Sequence, residues 1–193
     1  MILELVLAST SKYRRLLLER LGVPFRQRRP RLDEEDFKSL GITPRALAET
    51  LALAKAKSLE DEGPNVTIVG CDQLVAFEGR VLGKPGTIDG AIKQLVEMSG
   101  KRHELITAIA VKRGERIVVH TDIAILSMRT LTHNEIVRVV DHDRPVDCAG
   151  SYKLESRGIM LFEKIAAEDH SSIMGLPLIA LTTILRELGH RLP

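Results

Sequence analysis

Three hydroxyls run directly into cations over Ser9-Thr10-Ser11-Lys12-Tyr13-Arg14-Arg15, a grouping suited to holding an anion. Hydroxyls donate hydrogen bonds, arginine grips phosphate oxygens with a planar fork, and the first amides of a helix carry partial positive charge. Serine and threonine are also ordinary helix caps, so the hydroxyls alone decide little. The Arg14-Arg15 pair decides more, because cations at a helix start oppose the macrodipole unless an anion sits there. Asp72 follows the apolar run Val66-Thr67-Ile68-Val69-Gly70-Cys71. A carboxylate held on a rigid element suits a catalytic base or a metal ligand, although a turn former is the plainer use of an aspartate after a strand. Asp33 and Glu34 add carboxylates in a loop, Lys55 sits among Ala and Leu, and Lys84 lies between Gly83 and Pro85. Carboxylates beside lysines and arginines suit a metal-assisted phosphate site, since Mg²⁺ usually takes one or two carboxylates plus substrate phosphates.

Other arrangements fail on their chemistry. Gly79 through Pro85 is no P-loop, because Pro85 stands where a hydroxyl should meet Mg²⁺. His103-Glu104 has no second His four positions on, and Gly175-Leu176-Pro177 lacks a nucleophilic Ser. Asp141-His142-Asp143 has metal-ligand types, but between a helix and Arg144-Pro145 it reads as a solvated loop.

The elements that must carry these residues alternate. Leu3 to Ala8 reads as a buried strand and Lys12 to Leu21 as a helix stopped by Gly22. Thr43 caps a helix with Pro44 at its first position, predicted to run to about Glu62. Val66 to Cys71 is a central strand that leaves Asp72 at its carboxyl end, where ligands of open α/β sheets bind. A hairpin is expected around Glu78-Gly79, and Thr87 caps a helix closed by Gly100. Leu105 to Lys112 and Arg116 to Met128 are paired strands, and Thr132-His133-Asn134-Glu135 is a capping box opening a helix through about Val140. Cys148 to Glu155 has no period and reads as a functional loop; Ile159 to Ile165 is a last strand, and Pro177 opens a helix to Leu188. This alternation is α/β, with hairpins that make the sheet mixed.

With 193 residues, 44% hydrophobic and 28% charged, the chain suits one folded domain over residues 1–193. A net charge of +2 and 3% aromatics give no footprint for a polynucleotide. Arg26-Gln27-Arg28-Arg29-Pro30-Arg31 is the densest basic run and reads as a solvated edge with basic gatekeepers. Cys71 and Cys148 form no C-x-x-C pair and read as small buried residues of a reducing compartment. Met1-Ile2-Leu3-Glu4 lacks the basic start of a secretory signal, and no apolar run reaches the ~20 residues of a membrane helix. A cytoplasmic protein without a membrane partner is the expectation.

Taken in order, Ala8-Ser9-Thr10-Ser11-Lys12-Tyr13-Arg14-Arg15, Gly70-Cys71-Asp72-Gln73, Gly83-Lys84-Pro85, Ser99-Gly100 with Thr107, Ala149 through Glu155 and Gly175-Leu176-Pro177 resemble the Maf nucleotide pyrophosphatases over nearly the whole chain. The resemblance implies a long, twisted mixed sheet flanked by helices, similar to inosine triphosphate pyrophosphatases, with two lobes around a cleft. It implies hydrolysis of a nucleoside triphosphate between the α- and β-phosphates with a divalent cation, Mg²⁺ or Mn²⁺. Asp72 would accept the proton or bind the metal. Glu34 would join it at the metal, while Ser9, Ser11, Arg14, Lys55 and Lys84 would face the phosphates. A homodimer and a role in regulating cell division are family-level expectations.

The family branch acting on dTTP and UTP carries an Arg-like residue, Thr and Gln where this chain has Tyr13, Gln73 and Glu155. These three look instead like the branch acting on 7-methyl-GTP. A methylated guanine is cationic, and an aromatic face such as that of Tyr13 attracts a cation by ~0.5–2 kcal/mol. Glu155 accepts hydrogen bonds only, which complements the donors on guanine's Watson–Crick edge and repels thymine's carbonyls. A dTTP/UTP pyrophosphatase is the competing expectation.

Overall fold

The computed structural model describes residues 3–38 and 40–192; Met1 and Ile2, part of the expected start, lie outside them. Among the described residues, seven strands form one mixed sheet: β1 (Leu5–Ala8), β2 (Arg26–Arg28), β3 (Thr67–Phe77), β4 (Arg80–Leu82), β5 (Arg102–Arg113), β6 (Arg116–Met128) and β7 (Phe162–Ala166). Their order is β2-β1-β3-β5-β6-β7, with β4 also paired to β3. β1 runs parallel to β2 and β3, whereas β3–β4 and β6–β7 are antiparallel. The helices are α1 (Lys12–Glu19), α2 (Glu35–Lys38), α3 (Pro44–Lys57), α4 (Ile88–Met98), α5 (His133–Asp143), α6 (His170–Ile173) and α7 (Leu178–Glu187).

The described residues group into two compact units. The first holds the chain up to Gln73 with Thr107–Asp122 and the residues from Asp169 onward; the second holds Leu74–Ile106 and Ile123–Glu168. The first unit's core joins Leu5 and Leu7 of β1, Leu17 and Leu18 of α1, Val69 of β3, Ile109 and Val111 of β5, and Leu181 and Leu185 of α7. Burying such side chains is worth ~1.5–3 kcal/mol each. In the second unit the buried faces of α4 (Ala91, Leu95, Met98) and α5 (Ile136, Val139, Val140) line the interior. His103, Tyr152 and Phe162 form a ring cluster there, with centroids 5.0–5.7 Å apart.

Caps set most element starts as the sequence predicts. Ser11, Thr43 and Thr87 each accept a backbone N–H of the first turn, and Thr132 with Glu135 completes a capping box. β2 lies at the end of the strand order, and its arginines are met by acids: Arg26 by Glu4 and Glu62, Arg28 by Glu62. The basic run is therefore the exposed edge that the sequence suggests.

Five expectations are corrected. The helix from Pro44 ends at Lys57, and the acids Glu60–Glu62 form a separate 3₁₀ turn. β3 does not stop before Asp72. It runs on to Phe77, pairing β1 over Leu5–Ala8 and β4 from Val75, so Asp72 lies mid-strand between the two pairings. The segment before β7 is a 3₁₀ turn, Arg157–Leu161, rather than strand. Asp143 closes α5 and is buried, not part of a solvated loop. Cys71 is buried as expected, but Cys148 is only half-buried.

Candidate active site

Lys55 and Asp72 meet because α3 lies unusually close to β3. Ala48, Ala52 and Ala56 repeat every four residues and present a fully buried small face. The strand residue beneath is Gly70, where a Cβ would strike the Ala52 carbonyl and lie 2.6 Å from the Ala56 amide nitrogen. That approach brings Lys55 Nζ, one residue before Ala56, to 2.6 Å from Asp72 Oδ1. Both side chains are almost wholly buried, at 8% and 7% exposure. Lys55 Nζ also lies 2.8 Å from Glu34 Oε1, whose side chain is 55% exposed. One ammonium thus bridges the two carboxylates, Asp72 and Glu34, to which the resemblance gives base and metal roles.

The second oxygen, Asp72 Oδ2, is buried with no hydrogen-bond partner among the described residues. An unsatisfied buried acceptor costs about 1–3 kcal/mol, a cost retained where the atom has work to do on a bound species. Burial raises the Asp72 carboxyl above the ordinary carboxylate range; Lys55 and Arg14 oppose this by charge, and Lys55 also by its hydrogen bond. A carboxylate raised in this way is a stronger proton acceptor than an exposed one.

The hydroxyl segment is a built helix start. Ser9 Oγ accepts the Ser11 amide at 3.1 Å, and Ser11 Oγ accepts the Arg14 amide at 3.4 Å. From β2, Gln27 Nε2 donates to the Ser11 carbonyl at 3.1 Å and ties this turn to the neighbouring strand. No acid stands in the first turn of α1, so its partial positive charge is left unopposed.

Arg14 is oriented by backbone. Nε donates to the Gly175 carbonyl at 3.1 Å and Nη1 to the Cys71 carbonyl at 2.9 Å, which leaves part of the five-donor fork for a ligand. Cys71 Sγ shares the Gly175 carbonyl at 3.0 Å, and burial pushes this thiol up, so it stays protonated. Tyr13 is half-buried, with Lys12 Nζ 5.0 Å from its ring centroid. The ring already meets a cation, so any further cation must displace Lys12 or use the opposite face.

Gln73 is held by the segment before α7. Its Nε2 donates to Thr107 Oγ1 at 2.8 Å and to the Ser172 carbonyl at 2.9 Å, and Thr107 donates to that same carbonyl at 3.0 Å. Asp169 fixes this segment by accepting the Ser171 amide and hydroxyl and the Ile179 amide. With the nitrogen committed, the amide oxygen is the part of Gln73 left to read a ligand.

Lys84 and Glu155 belong to the second unit, and both are exposed. Lys84 sits in a loop tied by Gly86 N to the Val146 carbonyl and by Gln94 Nε2 to the Gly83 carbonyl. Ser151, at left-handed φ of 63°, donates to Gln94 Oε1 at 2.6 Å, so one α4 residue joins this loop to the turn preceding Glu155. Asp147 lies within electrostatic reach of Lys84 and Lys153; burial pushes its carboxyl up, but hydrogen bonds and these lysines hold it below its ordinary range.

The structure therefore gathers Ser9, Ser11, Tyr13, Arg14, Glu34, Lys55, Asp72 and Gln73 in the first unit and places Lys84 and Glu155 in the second. Sequence reasoning missed the supports Gln27, Gly70, Ser172 and Gln94. Only Gly70 carried a visible signal, as a glycine inside an apolar strand facing an alanine-rich helix.

Residues 4–188 match a family model described as Maf-like protein. A curated relative from Bdellovibrio bacteriovorus named 7-methyl-GTP pyrophosphatase is 50% identical over 182 residues, covering 94% of this chain and 95% of its own. Relatives of the same name from Xanthomonas oryzae pv. oryzae, covering 100% of both chains, and Aromatoleum aromaticum, covering 98% of both, are each 43% identical. Among solved structures, a Ham1 protein from Staphylococcus aureus aligns with a TM-score of 0.55 at 14% identity, covering 95% of this chain and 98% of that one. A HAM1 protein from Coxiella burnetii aligns at 0.50 and 18% identity, covering 97% and 100%. These two share the fold.

Proposed function

Since the chain belongs to the Maf family, we propose that it is a nucleoside triphosphate pyrophosphatase that hydrolyses 7-methyl-GTP to the monophosphate and pyrophosphate. The observation that carries this reading is 50% identity over 94% of the chain to a relative named for that activity. Tyr13, Gln73 and Glu155 support the choice of base, because an electron-rich ring, an amide oxygen and a carboxylate suit a cationic, donor-rich purine.

The residues divide the work chemically. Asp72 Oδ2, buried and without a donor, takes the proton of the attacking water as the water oxygen bonds to phosphorus. The bond to the bridging oxygen breaks, and pyrophosphate leaves with that electron pair. Arg14 and the amides of the α1 start offset charge on the phosphates, and Lys55 opposes by its charge and hydrogen bond the upward shift that burial gives Asp72. In the second unit the same reading assigns Lys84 to phosphate and Glu155 to the base.

A divalent cation, Mg²⁺ or Mn²⁺, fits the donors present. With Asp72 Oδ2 as the base, Glu34 offers the cation an exposed carboxylate on the same lysine; in the alternative, Oδ2 is itself the second carboxylate ligand, and one or two carboxylates plus substrate phosphates are a usual Mg²⁺ set. When bound, the cation would neutralise charge on phosphate oxygens. The free thiols Cys71 and Cys148 favour a cytoplasmic setting. Among the described residues no helix is long and apolar enough to cross a membrane. Self-association into a homodimer is part of the proposal and is read by sedimentation.

The deciding experiment is pyrophosphate release with Mg²⁺ from 7-methyl-GTP, GTP, dTTP and UTP. Fastest release from 7-methyl-GTP is expected. Preference for a pyrimidine overturns the base assignment, and binding without release favours a nucleotide-sensing regulator.

A further inference from the structure

Asp143 ends α5, where a carboxylate opposes the helix's own partial negative charge, yet its side chain is 0% exposed. Such a group stays buried only if its lone pairs are used. Oδ1 accepts from Ser156 Oγ and from His142 Nδ1, each at 2.8 Å, and Oδ2 accepts the Gly158 amide at 2.9 Å. Its carbonyl accepts Lys153 Nζ at 3.0 Å. One residue therefore holds both ends of the turn Lys153–Gly158. The turn is also closed on itself: Ser156 N donates to the Lys153 carbonyl at 3.1 Å, and a Cβ on Gly158 would lie 2.5 Å from that carbonyl oxygen. Glu155 stands exposed in this turn, one residue before Ser156.

We propose that Asp143 is a positioning residue for nucleotide selection, which fixes the closed turn Lys153–Gly158 and so presents Glu155 to the base in a preset place. The inference rests on the assignment of Glu155 above. An exposed carboxylate on a loose turn would give up conformational freedom on binding, whereas a pinned turn has already lost it. Burial alone would raise the Asp143 carboxyl, but hydrogen bonds from His142, Ser156, Gly158 and Arg157 outweigh it and hold the group below the usual range, an acceptor throughout neutral pH.

The test measures kcat/KM for 7-methyl-GTP, GTP, dTTP and UTP, with thermal unfolding, in wild type and in Asp143→Ala, Asp143→Asn, Ser156→Ala and Glu155→Gln. The ratio between the best and second nucleotide should fall about tenfold in Asp143→Ala and about threefold in Ser156→Ala, moving toward that of Glu155→Gln, while kcat for the poorer nucleotides holds within about twofold. Asp143→Asn, which keeps an acceptor for Gly158 and can re-pair with Ser156, should restore most of the ratio. Unchanged ratios in folded variants, or an equal loss on all four nucleotides, overturn the proposal. Should Asp143→Ala fail to fold, Ser156→Ala against Asp143→Asn decides by the same ratio. Which nucleotide leads in wild type tests the proposed function; the change in its lead, whichever it is, tests Asp143.

Discussion

At the residue scale the chemistry turns on one carboxylate whose two oxygens live differently. Asp72 Oδ1 is taken by Lys55, and Oδ2 is buried without a partner among the described residues. Replacing Asp72 with Asn should leave a folded protein that has lost ~10²–10⁴ of its kcat, measured by pyrophosphate release. Because burial raises the Asp72 carboxyl, activity should fall with pH at values above the ordinary carboxylate range, as the proposed base takes up its proton. Lys55→Met removes the ammonium that opposes this shift. The acid limb of its kcat/KM profile should therefore move to still higher pH, and a limb that stays put would show that Lys55 does not oppose the shift of the proposed base. Arg14→Ala should weaken every triphosphate alike, whereas Tyr13→Ala should selectively slow the methylated purine, losing about tenfold in kcat/KM. These residue types were visible in the sequence. The division of labour inside Asp72 was not, since it depends on Lys55, 17 residues away, arriving at one oxygen only.

At the element scale, the site exists because a helix and a strand touch at glycine. Gly70→Ala would force α3 off β3, as the new methyl meets the Ala52 and Ala56 backbone rather than a yielding side chain. Overpacking of this kind costs ~1–3 kcal/mol or more. The expected result is a lowered urea midpoint together with lost activity, as Lys55 withdraws from Asp72. Helix starts were legible because Ser11, Thr43, Thr87 and Thr132 act through bonds three residues away. The carboxyl end of β3 was misjudged for the opposite reason. Gly70-Cys71-Asp72 looks like a strand end locally, but β4 returns to pair with β3 from Val75 onward and keeps the chain extended through Asp72.

At the scale of the whole molecule, buried histidines set the response to mild acid. Burial lowers His103 from 6.5 to about 4, and His190 is lowered by burial and by Arg113. A histidine whose folded value is depressed stays neutral in the fold while the unfolded chain takes up the proton, so stability falls as pH drops from 6.5 toward about 4. For His103 this amounts to about 2 kcal/mol between pH 7 and pH 5, read from urea unfolding, and His103→Gln should flatten that dependence. Asp72 acts with the opposite sign, since its raised carboxyl gains a proton first in the fold. The sequence by itself determined the alternation of strands and helices, the caps, the basic edge at β2 and the kinds of group at the site, because each follows from spacing within a few residues. Only the tertiary structure decided that Asp143 is a buried hub and not a solvated loop, that Gly175 steers Arg14, and that Asp72 keeps one oxygen without a partner. Those outcomes depend on which distant backbone carbonyls, amides and ammonium groups come within hydrogen-bond reach, and burial, which sets their strength, belongs to the packed chain and not to any short stretch of it.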